Sequence, residues 1–123
     1  MANPSTEGPS GAGTEVLRRS YLEWSAAANN EILITGAANH IYTILSVSFA
    51  ERGNASELMN MFAVASGPVN VHIFSKQPIG PYETFVWNDK FIIAGDDILK
   101  CATDSISSFD VWCTYIDQQF VAP

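Results

Sequence analysis

The feature that most constrains this chain is the period of two in its apolar residues from residue 30 onward. β-branched and aromatic residues dominate these runs, and short groups of Gly, Pro, Asn and Asp separate them. A period of two is typical of strands that bury one face, whereas an amphipathic helix repeats about every 3.6 residues. Turn residues between the runs indicate hairpin connections. The pattern therefore predicts an all-β chain.

The runs predict eight strands in one domain. They span residues 31–35, 41–50, 57–65, 69–75, 83–87, 90–94, 97–103 and 109–116. Strands of this number and length suit two antiparallel sheets packed face to face. Since 47% of the residues are hydrophobic, the chain can fill such a core without metal or disulfide staples. We expect an antiparallel β-sandwich or jelly roll over residues 16–123.

The same alternation predicts which side chains face the core. In the strand at 69–75, Val69, Val71 and Ile73 are expected inside, which leaves His72 outside. In the strand at 41–50, the expected core face consists of Ile41, Thr43, Leu45, Val47 and Phe49.

Residues 14–28 fit two patterns. Leu17, Tyr21 and Trp24 recur at helical spacing. In an extended strand, however, Val16, Leu22 and Trp24 would share one face. A strand beside the N-terminal segment would suit the edge of a sandwich. We favour the strand, with a short helix as the alternative.

Residues 1–15 form the least apolar part of the chain. They contain three Gly, two Pro, two Ser and two Thr, with no large apolar residue after Met1. Such a segment cannot bury enough surface to offset the entropy of ordering it, so we expect a flexible N-terminal arm. No basic start followed by an apolar run is visible, which predicts synthesis in the cytoplasm without a secretory signal.

Charge excludes two classes of partner. Thirteen acidic residues against six basic ones give a net charge of -7. An acidic surface repels both the phosphates of nucleic acid and anionic lipid, so we expect neither nucleic acid nor a membrane as partner. The two long uncharged segments, residues 32–50 and 58–75, contain His, Asn and Ser residues that would be costly in lipid.

No constellation of residues predicts catalysis or a cofactor. His40 and His72 are isolated from any motif that pairs a nucleophile with a base. The aspartates between residues 89 and 117 lack EF-hand spacing, and several occupy turn positions where Asp satisfies the local backbone. We therefore expect no catalytic residues, no metal and no cofactor.

Cys101 and Cys113 fall in the last two predicted strands. A turn at 104–108 would form a hairpin with Cys101 opposite Val111, which leaves the two sulfur atoms diagonal on one face. Diagonal neighbours are too far apart for an unstrained disulfide. We expect two buried thiols, and a register shifted by two residues would instead allow a bridge.

Aromatic residues cluster around one predicted hairpin. Tyr82 and Trp87 are candidates for a surface contact with a sugar or a partner subunit. Phe85 and Trp87 share a strand face, so packing in the core is the competing interpretation for Trp87.

Two stretches carry a resemblance to a known group of proteins. Residues 90–103 read KFIIAGDDILKCAT, and FDVWCTYID follows after a short turn. Together with the earlier IYTILSVSFAERGNAS, they resemble the core strands of small tailed-bacteriophage virion proteins. The resemblance covers about residues 32–117 and rests on apolar spacing with one Gly-Asp turn. Thr114 and Asp117 stand where Ser and Glu are more usual in that pattern.

The resemblance implies a non-enzymatic virion protein, most simply a capsid cement or decoration protein that binds the shell as a homo-oligomer. A trimer is the expected oligomer, with the major capsid protein or another virion subunit as partner and the virion as location. A neck or tail component and a lectin-like carbohydrate-binding module are the alternatives. The arm and the strand beside it would supply partner contacts. The residues expected to make them are Pro4, Pro9, Val16, Leu17, Tyr21 and Trp24.

Overall fold

A computed structural model of the protein describes residues 6–7, 14–25, 31–65, 68–105 and 107–120. These residues form strands and turns, with no helix among them. Accordingly, the described chain contains no helix that is long and apolar enough to cross a membrane. The strands are β1 (Thr6–Glu7), β2 (Thr14–Trp24), β3 (Glu31–Thr35), β4 (His40–Glu51), β5 (Glu57–Ala65), β6 (Val69–Ile79), β7 (Thr84–Trp87), β8 (Phe91–Ala94), β9 (Ile98–Thr103) and β10 (Phe109–Gln119).

The strands form two antiparallel sheets that pack as a sandwich. The larger sheet has the order β1-β2-β10-β4, and both β7 and β8 pair with the far side of β4. The smaller sheet has the order β3-β9-β5-β6. The predictions of an all-β chain and of a β-sandwich are confirmed, and β2 is the strand that we favoured over a helix. Both sheets contribute the largest fully buried side chains, which include Phe49, Phe109, Ile44, Met59, Met61 and Leu99.

The core face of β4 differs from the prediction because the strand contains a bulge. Thr114 of β10 pairs with Ser46, but the next residue, Tyr115, pairs with Ile44. β4 therefore has one extra residue at this point. An extra residue exchanges the inward and outward faces of a strand. Tyr42 and Ile44 are therefore buried before the shift, and the expected residues Val47 and Phe49 are buried after it. The prediction is wrong for Ile41 and Thr43.

The predicted core face of β6 is wrong at its first two positions. Val69 and Val71 are each 52% exposed, and Ile73 is half-buried. β6 ends its sheet, so these side chains lack a neighbouring strand on one side. His72 is exposed, as the alternation predicted.

The two cysteines lie in different sheets rather than in one hairpin. Cys101 on β9 pairs in register with Met61, and Cys113 on β10 pairs with Val47. The connection after β9 therefore crosses the sandwich, and the predicted hairpin is wrong. The expected outcome is nonetheless confirmed, since both thiols are free and buried.

Part of the predicted arm is a strand. β1 pairs with Thr14 and Glu15 at the start of β2. The other positions between 1 and 13 lie outside the described residues, so their flexibility stays a prediction.

Candidate interaction surface

The outer face of the larger sheet aligns side chains from neighbouring strands in rows. β2 and β10 pair without a shift over their whole length, so outward residues of one strand stand beside outward residues of the other. Tyr21 stands beside Trp112, and Leu17 stands beside Ile116. Arg19 lies between these two rows.

The pair of Tyr21 and Trp112 forms an ordered aromatic platform. The ring centroids are 5.9 Å apart with planes inclined by 19°. The guanidinium of Arg19 lies 5.0 Å from the Tyr21 centroid and 5.3 Å from the Trp112 centroid, so a cation-π contact holds all three side chains together. Tyr21 is 56% exposed and Trp112 is 50% exposed. These rings therefore present apolar area to solvent in a fixed position.

Both rows continue across the sheet to its other edge. Ser48 of β4 pairs with Trp112 on one side and with the exposed Val86 on the other. In the second row, Thr43 of β4 pairs with Ile116 and with the exposed Ile92. Apolar side chains thus flank small hydroxyl residues in these two rows, which hold no charged side chain. Exposed apolar patches of this kind are common at sites of protein interaction, which makes this face a candidate site.

Two acidic residues of this face lie side by side at one end. Glu23 on β2 pairs in register with Asp110 on β10, one row beyond the aromatic platform. Arg52 reaches Asp110 with 3.1 Å between Nε and Oδ1. The face therefore has an acidic row on one side of the aromatic platform and Arg19 on the other. We call the residues of these rows the outer face: Leu17, Arg19, Tyr21, Glu23, Thr43, Ser48, Val86, Ile92, Asp110, Trp112 and Ile116.

Within the part of the chain that the structure describes, one long edge of the larger sheet has little cover. β1 pairs with only the first two residues of β2. Among the described residues, positions 16–24 of β2 have β10 on one side and no strand on the other. The Trp24 carbonyl accepts a hydrogen bond from Arg52 Nη2 at 2.7 Å. The backbone groups before it have no described strand beside them on this side, which is the arrangement that another strand can extend.

The structure separates the residues predicted for partner contacts. Leu17 and Tyr21 lie exposed on the outer face, and Val16 is partly buried. Trp24 is only 8% exposed, and its Nε1 donates to Ser107 Oγ at 3.3 Å. Because Trp24 lies three residues after Tyr21 in a strand, the two rings point to opposite faces, so Trp24 belongs to the core. Pro4 and Pro9 lie outside the described residues.

The other predicted aromatic pair does not form a joint platform. Tyr82 is 69% exposed in a turn, with a left-handed φ of 57°. Trp87 is half-buried against Phe74, and its Nε1 donates to the Asp89 carbonyl at 2.8 Å. The core interpretation is therefore correct for Trp87.

Trp112 and Arg19 were missed by the sequence analysis. Side chains alternate along the strand FDVWCTYID, so Trp112 points to the opposite face from Val111 and Cys113. This signal could have identified the Trp112 ring as outward. The contact with Arg19 depends on the pairing of β2 with β10, which the sequence pattern left open.

A half-buried polar cluster lies at one end of the larger sheet. Asp117 is buried between His40, with 2.6 Å from Nδ1 to Oδ1, and Arg18, with 3.0 Å from Nε to Oδ2. His40 stacks on Tyr42. Burial is the main cause that raises the pKa of the Tyr42 and Tyr115 hydroxyls above their usual value. The cluster ties β2, β4 and β10 together, which is a structural role.

Buried polar groups at the opposite end are also satisfied. Glu57 accepts from the Leu58 backbone N-H at 2.9 Å and from Ser105 Oγ at 2.6 Å. Ser107 Oγ donates to Thr103 Oγ1 at 3.1 Å. Within the described residues, no buried side-chain nitrogen or oxygen lacks a partner, and no three His, Cys, Asp or Glu side chains come together as metal ligands. The outer face is therefore the best candidate for a functional site.

Comparison with known proteins adds a likeness of fold. No protein-family model matches this sequence, and no curated protein matches it. A solved structure of Bacillus endospore appendages, a family of disulfide-linked pili, is similar with a TM-score of 0.54 and 16% identity, covering 94% of this chain and 97% of that one. The acid-stable capsid structure of Helicobacter pylori bacteriophage KHP30 is similar with a TM-score of 0.54 and 7% identity, covering 86% and 92%. At these identities the likeness shows a shared sandwich fold.

Proposed function

We propose that this chain is a non-enzymatic structural subunit of a bacteriophage virion, and that it acts as a cement or decoration protein on the capsid. The observation that carries the proposal is the exposed outer face of the larger sheet. The resemblance of residues 32–117 to small virion proteins supports it. Both solved structures described above also belong to repetitive assemblies, namely a pilus and a capsid.

The outer face has the composition of a binding surface. Tyr, Trp and Arg side chains are enriched among the residues that dominate binding energy, and the aromatic rings bury a large area each. Tyr21, Arg19 and Trp112 are already held in place by their mutual contacts. Shell binding would therefore cost little further ordering at these positions.

Binding through this face is non-covalent. The chain contains two cysteines, and both Cys101 and Cys113 are buried and free. A disulfide to another subunit would require the sandwich to open. The Bacillus endospore appendages differ in this respect, since those pili are disulfide-linked.

Self-association and the N-terminal segment are further parts of the proposal. A homo-oligomer would raise affinity for a repetitive shell by engaging several sites at once. A trimer would match a three-fold position of the shell, and the segment before β1 would contact a neighbouring virion subunit. The major capsid protein is the proposed partner.

A neck or tail position would use the same outer face. The two locations differ in copy number, since a shell carries many more equivalent sites than a neck. Labelling of purified particles with an antibody to this chain separates them: a signal over the whole head supports decoration, whereas a signal at one vertex supports the neck or tail.

The direct test is particle composition and reconstitution. Virions with the gene for this chain deleted would be purified, and the purified chain would be added back. We expect the chain in wild-type particles by mass spectrometry, and saturable re-binding to the deleted particles. Absence from purified particles together with no re-binding would contradict a virion role.

The aromatic platform also favours a second candidate function, binding of a carbohydrate. Adjacent Tyr and Trp rings can stack on sugar rings. A glycan array with the full chain and with Trp112→Ala tests this. Glycan signals that disappear in the variant, with folding retained, would support a lectin-like module, whereas an array without signals would exclude it.

A further inference from the structure

The four edges of the two sheets differ in their capacity to accept another strand. β2 is eleven residues long and pairs with β10 without any shift in register. Its stretch at 16–24, which no other described strand borders on this side, contains no proline. A long, straight edge of this kind pairs readily with a second strand.

The β6 edge is as long but is interrupted. Its pairing with β5 shifts twice, between Met59 and Met61 and between Met61 and Phe62. Lys76 has a left-handed φ of 54°, and Pro78 lacks a backbone N-H. Bulges, lysine and proline are the devices that block edge pairing.

The remaining edges are short. β3 has five residues, and β7 and β8 have four residues each. The turn between β7 and β8 further divides that side of the larger sheet. Among the described strands, β2 is therefore the edge best suited to adding a strand.

The sequence of β2 is self-complementary about its outward residue Tyr21. Arg19 precedes this tyrosine by two positions, and Glu23 follows it by two. In an antiparallel pair centred on Tyr21, each Arg19 stands directly opposite Glu23 of the other strand. Opposite charges and aromatic pairs at facing positions both stabilise antiparallel strands.

We propose that β2 pairs antiparallel with β2 of a second copy of this chain, around a two-fold axis at Tyr21. Residues 19, 21 and 23 lie on the same face of β2. In this register, the outer faces of the two copies therefore lie on the same side of the joined sheet. The two larger sheets become one continuous sheet, and the row across the junction reads Trp112, Tyr21, Tyr21, Trp112. This contact concerns two copies of the chain and does not require a virion.

A cysteine at the axis tests the register. In an antiparallel pair, facing Cα atoms are about 4.5 to 5.5 Å apart, which is within reach of a disulfide. We expect Tyr21→Cys to form a covalent dimer under mild oxidation on a non-reducing gel. Val71→Cys on β6 is the matched control, since Val71 is similarly exposed on the other long edge, and we expect no covalent dimer from it on the same gel. Equal cross-linking of the two variants would overturn the proposal.

A charge exchange tests the ion pairs in the absence of cross-linking. Arg19→Glu places two like charges at each Arg19 and Glu23 contact, and we expect the dimer to weaken by about tenfold or more. The double variant Arg19→Glu/Glu23→Arg restores opposite charges and should recover most of the affinity. Sedimentation equilibrium measures both. A double variant no tighter than Arg19→Glu would contradict the register.

The mass of the full chain separates this inference from the virion role. A two-fold contact requires an even number of chains, so we expect two, or six if trimers pair. A monomer or a plain trimer at high concentration would overturn the β2 contact and leave the virion proposal intact. If Tyr21→Cys cross-links only after deletion of residues 1–5, the chain's own N-terminal segment occupies the edge and the proposal fails for the full chain.

Discussion

The two long edge strands, β2 and β6, have the same length and opposite properties. β2 runs in unbroken register beside β10, whereas β6 is bent by two register shifts, a left-handed lysine and a proline. The outward side chains of β2 form the aromatic platform, while the first residues of β6 expose two isolated valines. Edge length alone therefore does not determine which side of a sandwich can associate.

The two strands are also anchored differently. Phe74 of β6 contacts Phe49, Phe85 and Trp87 across the core. β2 is held by Trp24 at one end and by the Arg18 contact with Asp117 near the other. The inward anchors of β2 thus serve stability, which leaves its outward residues free for binding.

A comparison of substitutions at Trp24 and Tyr21 tests most strongly whether the inward face of β2 serves stability and its outward face serves binding. Trp24→Ala removes a buried ring and its hydrogen bond, so we expect a loss of about 3–5 kcal/mol in the free energy of unfolding. Tyr21→Ala should change stability by less than about 1 kcal/mol, since the ring is exposed. Urea unfolding measures both. Similar losses in the two variants would show that β2 has no division between its faces.

Alkaline pH probes the core shared by the two sheets. Burial raises the pKa of the Cys113 thiol from its usual 9.0 to about 12, and it raises that of Cys101 as well. The thiols of the unfolded chain therefore lose their protons at a lower pH than those of the folded chain. The free energy of unfolding keeps its full value below about pH 9 and falls as the pH rises toward 12. The expected slope is about 1.4 kcal/mol per pH unit for each thiol.

The variants Cys101→Ala and Cys113→Ala show how much of this pH dependence comes from the thiol of the smaller sheet and how much from that of the larger sheet. Unfolding midpoints between pH 8 and 11 give the slope for each variant. Each substitution should remove part of the alkaline loss. An unchanged slope in the double variant would mean that the thiols titrate normally and are not buried in the folded chain.

Asp117→Asn should loosen the β2 side of the larger sheet. The change leaves Arg18 and His40 without their shared carboxylate, at an expected cost of about 1–3 kcal/mol. Hydrogen exchange should increase along β2 more than along β6. Asp110→Asn is the control: its contact with Arg52 is exposed, so a cost below about 1 kcal/mol is expected. Equal exchange along both edges would argue against the anchoring role of Asp117.

Lys76→Gly is expected to have the smallest effect. Glycine relieves the left-handed strain, worth about 1 kcal/mol, and the exposed contact of Lys76 with Asp104 is lost. The net change in thermal stability should be close to zero, and the oligomeric mass should not change. New self-association in this variant would show that Lys76 itself protects the β6 edge.

Most of the fold could be predicted from the sequence, because alternation and turn residues are local signals. The strands from residue 31 onward follow those signals. β4 shows a feature that local signals do not predict. Its bulge depends on pairing with β10, so the switch of facing after Ile44 has no local signature. The separation of Cys101 from Cys113 likewise depends on which sheet each strand joins. The interaction surface could be predicted only in part. Tyr21 and Leu17 were named, and local alternation also points Trp112 outward, whereas the contact of Trp112 with Arg19 requires the register of β2 and β10.

The most direct test of the account is co-sedimentation of variants with virus shells that lack this chain. Trp112→Ala/Ile92→Ala alters the outer face away from the β2 edge, and Val69→Ala/Val71→Ala removes similarly exposed side chains from β6. We expect the first variant to lose most of its binding to the shells and the second to bind like the wild type. Loss of binding in the β6 variant alone, or equal binding of both, would contradict the assignment of the outer face.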